Sequence, residues 1–519
     1  MFVEKFKDNI LGTNSYFDRL IITGSLLPIS FCNGLQSFLS TNNILLKNFI
    51  PYAEKLQLLL KESAKSIAEA ENAHYQYLNS PSISKEKLVK KVIKKRGNHP
   101  GLVAVLTTLE VDNSYSIHKN RIKKKLELIH HLRKCLHIYY YFIDEHLGLC
   151  HFRLQTFFPF KIQIYFNGRE QLVQKLDQCQ ILYEKDDNCF TYFSDISKAQ
   201  QLADDLDVSK LQTLFDQWAE KYVVILPLLR KHWQLSYHWS LKQVEYAKDI
   251  LFQSQQELDS IYNQLLQYMI ISALPTDVLS FLGKKRSGKQ SNKVETDIRK
   301  SYLGYRIKHN NGFVSIKMYN KAGSVLRIEI TINNVSKIKV YRDVEQRNGE
   351  TVHKLAPMKK SIYSMEHVIR YSQAAIARYL DFLAKMNSTD KGNKQLRQLT
   401  ERKTEKNRNY KGFNPFNSEE SSIFETLIDG RFIAFGFTNK ELRLSLAQRN
   451  ESLNYNSSKI SRLLKRLRVF GLAKRIQKSY KYFLTEKGRL IFTMCVKLKN
   501  MVTIPTMNAL IDSMVCITD

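Results

Sequence analysis

The chain has 519 residues with 80 Lys or Arg against 49 Asp or Glu, and a formal charge of +31 points to a polyanionic partner. Hydrophobic residues at 43% and only ten prolines exclude a disordered chain, and the length exceeds one ordinary core, so three or four domains are expected. No apolar run of about twenty residues is present, which excludes a membrane span, and seven cysteines without a CxxC pair exclude a disulfide framework or a zinc ribbon.

The opening MFVEKFKDNI lacks the short apolar core of a signal peptide, which predicts a cytoplasmic protein without a membrane partner. Apolar runs around Leu20 to Leu27 and Ile44 to Leu60, followed by the Ala- and Glu-rich stretch Ile67 to Tyr77, predict a helical N-terminal region. Between Lys85 and Arg96 seven basic residues face one acid, with Leu88, Val89 and Ile93 marking an amphipathic helix. A second basic run covers Lys119 to Lys125. Each run suits either a nucleic-acid backbone or a solvated face.

From Cys135 the apolar period shifts to two, the period of strands. In CLHIYYYFIDEHLGLCHFRLQ, His137, Tyr139 and Tyr141 share a face, and after a turn at Glu145 to Gly148 so do His151, Arg153 and Gln155, which predicts a hairpin. Strand Lys161 to Phe166, a helix through Leu172, Val173 and Leu176, strand Asn188 to Phe193 and helix Ile196 to Leu206 follow. Residues 207 to 282 read as helix and contain Trp218, Trp233 and Trp239, as core aromatics or, alternatively, base-stacking surfaces. Gly283 to Lys293 is a basic loop that matches a phosphate-binding loop only in composition. Tyr305 to Tyr341 breaks at Asn310 to Gly312 and at Asn320 to Ser324 into a three-stranded meander. Lys359 to Met386 is helical, and the next thirty residues form a polar, basic linker.

Residues 418 to 490 carry the clearest pattern. One helix presents Ile423, Phe424, Leu427 and Ile428, and Thr438 with Glu441 makes a capping box for a second. In a third, Ser457 to Phe470, Ile460, Leu463, Leu464 and Leu467 form an apolar stripe, and Gly471 ends it. Strands Ala473 to Ile476 and Tyr480 to Leu484 flank a basic turn, and Thr485 opens another helix. Asn456 to Asn500 holds thirteen Lys or Arg against one acid, Glu486. Through KISRLLKRLRVFGLAKRIQKSYKYFLTEKGR this order resembles the MarR-like winged-helix family of DNA-binding domains. The resemblance implies DNA contacts from Lys459, Arg462, Lys465, Arg466, Arg468, Lys474, Arg475, Lys478 and Lys481. Most of the chain also resembles a group of long uncharacterised bacterial proteins with a C-terminal MarR-like domain.

The expected fold is therefore multidomain α+β. It comprises a helical, basic N-terminal region (1–130), an α+β domain with a helical extension (131–300) and a meander with helices completing the central body (301–390). A basic linker (391–416) and a winged helix-turn-helix domain (417–519) follow, and the central sheet is expected to be predominantly antiparallel with packed helices.

The meander is the expected chemical site, because Lys317, Tyr319, Arg327 and Glu329 share a face. Lys317 and Arg327 are also candidate phosphate contacts. The run KMYNKAGSVLRIEIT resembles the IYNK and LRIE strand pair of rolling-circle replication initiators, with Tyr319, Lys321, Arg327 and Glu329 at matching positions. That resemblance implies a nicking tyrosine, with Tyr319 the first candidate, and a metal, magnesium or manganese (Mg or Mn), for which Glu329 is the candidate ligand. Apart from the resemblance, His137 and His151 sit on adjacent strands and are further candidate ligands. The His-hydrophobe-His motif of many such enzymes is absent. A cytoplasmic DNA-binding protein of a mobile element or replicon is the first expectation. A metal-dependent nickase or transposase-like enzyme and a noncatalytic RNA-binding component are the alternatives, and a homodimer fits each.

Overall fold

The computed structural model describes residues 2–80, 82–122, 124–186, 189–205, 207–283, 294–301, 303–386, 397–449, 455–476 and 479–507. The chain divides into two units, one of Phe6–Leu258 with Glu295–Ala377, the other of Met1–Lys5, Asp259–Val294 and Arg378–Asp519. The first is α+β. Its strands are β1 (Ile10–Ser25), β2 (His74–Leu78), β3 (Gly101–Asn120), β4 (Lys125–Asp144), β5 (Gly148–Gln155), β6 (Ile162–Phe166), β7 (Tyr183–Asp186), β8 (Cys189–Phe193), β9 (His238–Phe252), β10 (Glu295–Ser301), β11 (Gly304–Asn310), β12 (Val314–Lys321), β13 (Val325–Ile332), β14 (Lys339–Glu345) and β15 (Thr351–Pro357).

Eleven of these form one sheet in the order β10-β11-β12-β13-β9-β1-β6-β5-β4-β3-β2, and β7-β8 and β14-β15 are separate hairpins. Among the described strands of this sheet β2 and β3 run parallel and the other neighbours are antiparallel. The turns follow from local chemistry. Asp144 accepts from the backbone N–H of His146 and Leu147 before β5, and Asn311 accepts from those of Phe313 and Val314 before β12.

One face of the sheet is apolar and lies under helices Cys32–Thr41, Phe49–Ala70 and Val208–Tyr222. Phe49 meets Phe157 and Phe158, Tyr140 stacks on Tyr222 at 4.2 Å, and Phe142 meets Trp218 at 4.6 Å. Trp239 is buried against Phe215 and Trp233 contacts Phe38, so all three tryptophans pack within this unit. The opposite face is polar. Helices Gly168–Gln178 and Ile196–Asp204 and the β7-β8 hairpin cover part of it, packing Leu172, Leu176, Phe190 and Phe193 around Tyr16. Close approach there requires glycine: a Cβ at Gly168 would lie 2.4 Å from the Phe17 carbonyl oxygen.

Two segments expected to be helical are central strands. The run through Leu20 lies in β1, and residues 207–282 contain β9, which pairs with both β1 and β13. Both strands are covered on two faces, so their apolar residues run together instead of alternating. β-bulges between Phe17 and Arg19 and between Ile21 and Ile22 shift the phase further. The N-terminal region is thus mixed, although helices do form at Phe49–Ala70 and Lys85–Arg96. The sheet draws strands from both sides of the expected boundaries at 130/131 and 300/301. No described helix is long and apolar enough to cross a membrane.

In the second unit, Tyr268, Phe281, Tyr379 and Phe382 join its helical segments. Helices Ser418–Leu427, Gly430–Phe435, Asn439–Arg449 and Ser457–Val469 then lead to short strands Ala473–Arg475 and Tyr482–Leu484 and helix Glu486–Leu498. Asn417, Asp429, Asn456 and Thr485 cap helices with their side chains, and Thr438 and Glu441 form the reciprocal pair. Phe437 bridges to Tyr482, adding a third backbone segment to the two strands. Part of the expected linker is folded here. Residues 403–410 form a hairpin, and Leu399 and Phe413 are buried with Phe424, Leu467 and Phe470 in the same core. The linker residues 391–396 and loop residues 284–293 lie outside the described residues.

Candidate nucleic-acid interface

Helix Ser457–Val469 buries Ile460, Leu463, Leu464 and Leu467, which fixes the direction of its other side chains. Ser457, Ser458, Ser461, Arg462 and Arg468 are exposed. Lys459 pairs with Glu419 at 2.7 Å and Lys465 with Glu405 at 2.5 Å. Arg466 is a different kind of residue. It pairs with Glu420 at 2.8 Å, donates to the carbonyls of Lys411 and Gly412, and stacks 3.8 Å above the Phe413 ring. With 18% of its side chain exposed, it fastens residues 411–413 to the helix. Arg462 has no carboxylate partner among the described residues.

On the following strands Lys474 and Arg475 are exposed and Lys481 is half-buried. Arg475 donates to the Ser479 carbonyl and lies 5.3 Å from the Tyr480 ring, which is 82% exposed. Lys478 lies outside the described residues.

The meander residues come together as expected, with Lys317 opposite Glu329 and Tyr319 opposite Arg327. Glu329 is buried, and both its oxygens are occupied: Lys317 Nζ donates to Oε1 at 2.5 Å and the Tyr319 hydroxyl to Oε2 at 2.9 Å. Burial pushes the Glu329 carboxyl up, but Lys317, Arg327 and the Tyr319 bond outweigh it and hold it below its ordinary value. Burial also pushes the Tyr319 hydroxyl far up, with Arg327 opposing. Tyr319 therefore stays protonated as a hydrogen-bond donor to Glu329.

Arg327 is 0% exposed, so it is a strut within the sheet unit and not a surface contact for phosphate. Its Nε lies 3.0 Å from Asp249 Oδ1 and its Nη1 3.8 Å from Asp18 Oδ2. Its Nη2 donates to the Tyr16 hydroxyl, which donates to Asp249 Oδ2 at 2.6 Å. Arg169 from the covering helix donates to Asp18 at 2.9 Å, and Arg19 pairs with Glu245. With Lys317 and Glu329, four carboxylates face four cations. Asp18, Asp249, Glu245, Glu329, Arg169 and Arg327 are buried while Arg19 and Lys317 keep part of their side chains in solvent, a balance that makes the burial tolerable. Asp18, Asp249, Arg19 and Glu245 are absent from the sequence-derived candidates. The visible signal was charge inside apolar runs, in YFDRLII and VEYAKDILF.

The expected metal ligands are not assembled. His137 pairs across from Gln155 and His151 from Tyr141, four positions apart along the hairpin or about 13 Å. β13, with Glu329, lies five strands from β4, roughly 24 Å away. His137 is buried, with Nδ1 3.1 Å from the Cys135 carbonyl and Nε2 3.5 Å from Asp112. His151 stacks on Tyr165 at 4.9 Å, and burial, with Arg153 and Lys85 nearby, pushes its pKa down to about 3. Among the described residues no group of three or more His, Cys, Asp or Glu is placed to hold a metal ion. No protein-family model, curated protein or solved structure matches the chain.

Proposed function

We propose that this chain is a cytoplasmic protein that binds duplex DNA through its C-terminal module, read as a MarR-like winged helix-turn-helix. The observation that carries the reading is the outward face of helix Ser457–Val469. There Arg462 stands exposed beside Ser458 and Ser461 without a carboxylate partner among the described residues, while its basic neighbours Lys459, Lys465 and Arg466 are each neutralised. An unneutralised cation among small hydroxyl side chains suits close approach to phosphates and base edges. The order of three helices and a basic hairpin, with Phe437 bridged to Tyr482, supports the same reading. The likeness of residues 317–331 to replication initiators supports a place in a mobile element or replicon. A metal-dependent nicking role would require Glu329 to release Lys317 or Tyr319.

The test is fluorescence anisotropy of the full chain on a labelled duplex across a salt series. Arg462→Glu is expected to weaken binding roughly tenfold or more and to flatten the salt dependence. Unchanged binding by a variant with an unaltered circular dichroism spectrum would reject the assignment.

A further inference from the structure

We infer that the hairpin of residues 403–410 is a second wing, contacting the phosphate backbone of the same duplex that receives helix Ser457–Val469. The inference rests on the DNA-binding reading and adds to it a surface outside the winged-helix order.

Four features place the hairpin in that role. First, it is held rigidly. Leu399 and Phe413 on either side of it are buried in the module's core, Lys403 donates to the Val469 carbonyl at 2.7 Å, and Arg466 clamps the carbonyls of Lys411 and Gly412. Gly412 is so close to the helical turn of residues 397–400 that a Cβ would lie 1.9 Å from the Thr400 carbonyl oxygen. Second, its tip is built to display charge. Glu405 and Arg408 are opposite each other in the backbone register across a two-residue turn whose residues, Lys406 and Asn407, have φ of 50° and 59°. Such turns favour Asn and Gly, so a lysine at the first position places a cation where glycine would be less strained.

Third, its positive charge is left open. Arg402, Lys406, Arg408 and Lys411 are exposed and have no carboxylate partner among the described residues. The one acid within the strands, Glu405, is taken by Lys465, whose hydrogen bond holds its carboxyl below the ordinary value. Fourth, the hairpin and the helix face one space. Arg408 and Lys411 line a cleft of about 620 Å³ together with Arg462, and with Lys459, Lys465 and Arg466, whose charges are paired with Glu419, Glu405 and Glu420. Glu419 and Glu420 line the cleft as well, so six cations there face two carboxylates. Cations from two elements therefore converge on one cleft, which suits a polyanion running between them.

The experiment uses the full chain, a labelled duplex of about thirty base pairs and a structured RNA of similar length. Lys406→Ala with Arg408→Ala is expected to lower the slope of log K against log salt by about 1.8, two phosphate contacts' worth, and to weaken duplex binding about tenfold or more near 0.15 M salt. If the wild type binds duplex and Arg462→Glu weakens it while the hairpin variant keeps the wild-type slope, the second wing is refuted and the helix assignment stands. If the wild type does not bind duplex, the underlying reading fails. A loss confined to the RNA probe would overturn the assignment of the hairpin to DNA.

Discussion

Replacing Arg327 by Met tests whether the buried charges hold the sheet together. The side chain removed is 0% exposed and lies between β9 and β12, touching Asp249, Asp18 and Tyr16. Methionine keeps much of the volume but leaves Asp249, itself fully buried, with the Tyr16 hydroxyl as its remaining hydrogen-bond partner among the described residues. Removing one member of a buried pair costs about 3–5 kcal/mol, because the remaining charge is uncompensated. Arg370→Met, which breaks an exposed helical pair with Glu366, should leave stability unchanged. Urea denaturation followed by tryptophan fluorescence isolates the effect, since Trp218, Trp233 and Trp239 all lie in the sheet-containing unit. The expected result is a lower midpoint at similar slope, with partial recovery when Asp249→Leu is combined with Arg327→Met. A midpoint equal to the wild type would refute the claim that these charges depend on one another.

Two further outcomes are expected. His151 has a folded pKa of about 3 against an ordinary 6.5, so folding disfavours its protonated form. Its contribution to stability is complete above about pH 6.5 and is lost as pH falls toward 3. The urea midpoint should therefore decline through this window, and His151→Phe, which keeps the stack on Tyr165, should flatten the decline. In the C-terminal module, Arg466→Ala should expose residues 403–413 to protease, whereas Arg462→Ala should leave the digestion pattern unchanged. Identical patterns for the two variants would show that Arg466 is not a fastener.

What could be read from the sequence was governed by burial on one face or two. The β4-β5 hairpin from Cys135 onward and the β11-β12-β13 meander have marked turns, Asp144 to Gly148 and Asn310 to Gly312, and were legible, although β4 itself begins ten residues earlier, at Lys125. Helix Lys85–Arg96 was legible for the same reason, with Ser84 capping it and Gly97 ending it. β1 and β9 were not, because both their faces are covered and their bulges break the period. The site divided in the same way. The Lys317, Tyr319, Arg327 and Glu329 face followed from simple alternation, but its partners Asp18 and Asp249 lie on the two misread strands. The hairpin of residues 403–410 was hidden for another reason: it is short and polar, and its anchors Leu399 and Phe413 stand alone in the sequence.

The centre of the sheet also sets an order of assembly. β3 to β6 are neighbours in sequence and in space and can pair as soon as residues 101–166 have emerged from the ribosome. β1 is made before them yet joins β6 on one side and β9 on the other, and β9 in turn must await β13, which ends at Ile332. One edge of the sixteen-residue strand β1 can pair once β6 is made, but its other edge stays open until β9 has been synthesised. Nascent-chain aggregation and chaperone dependence should concentrate at β1, and a truncated chain ending before β9 would leave that edge open.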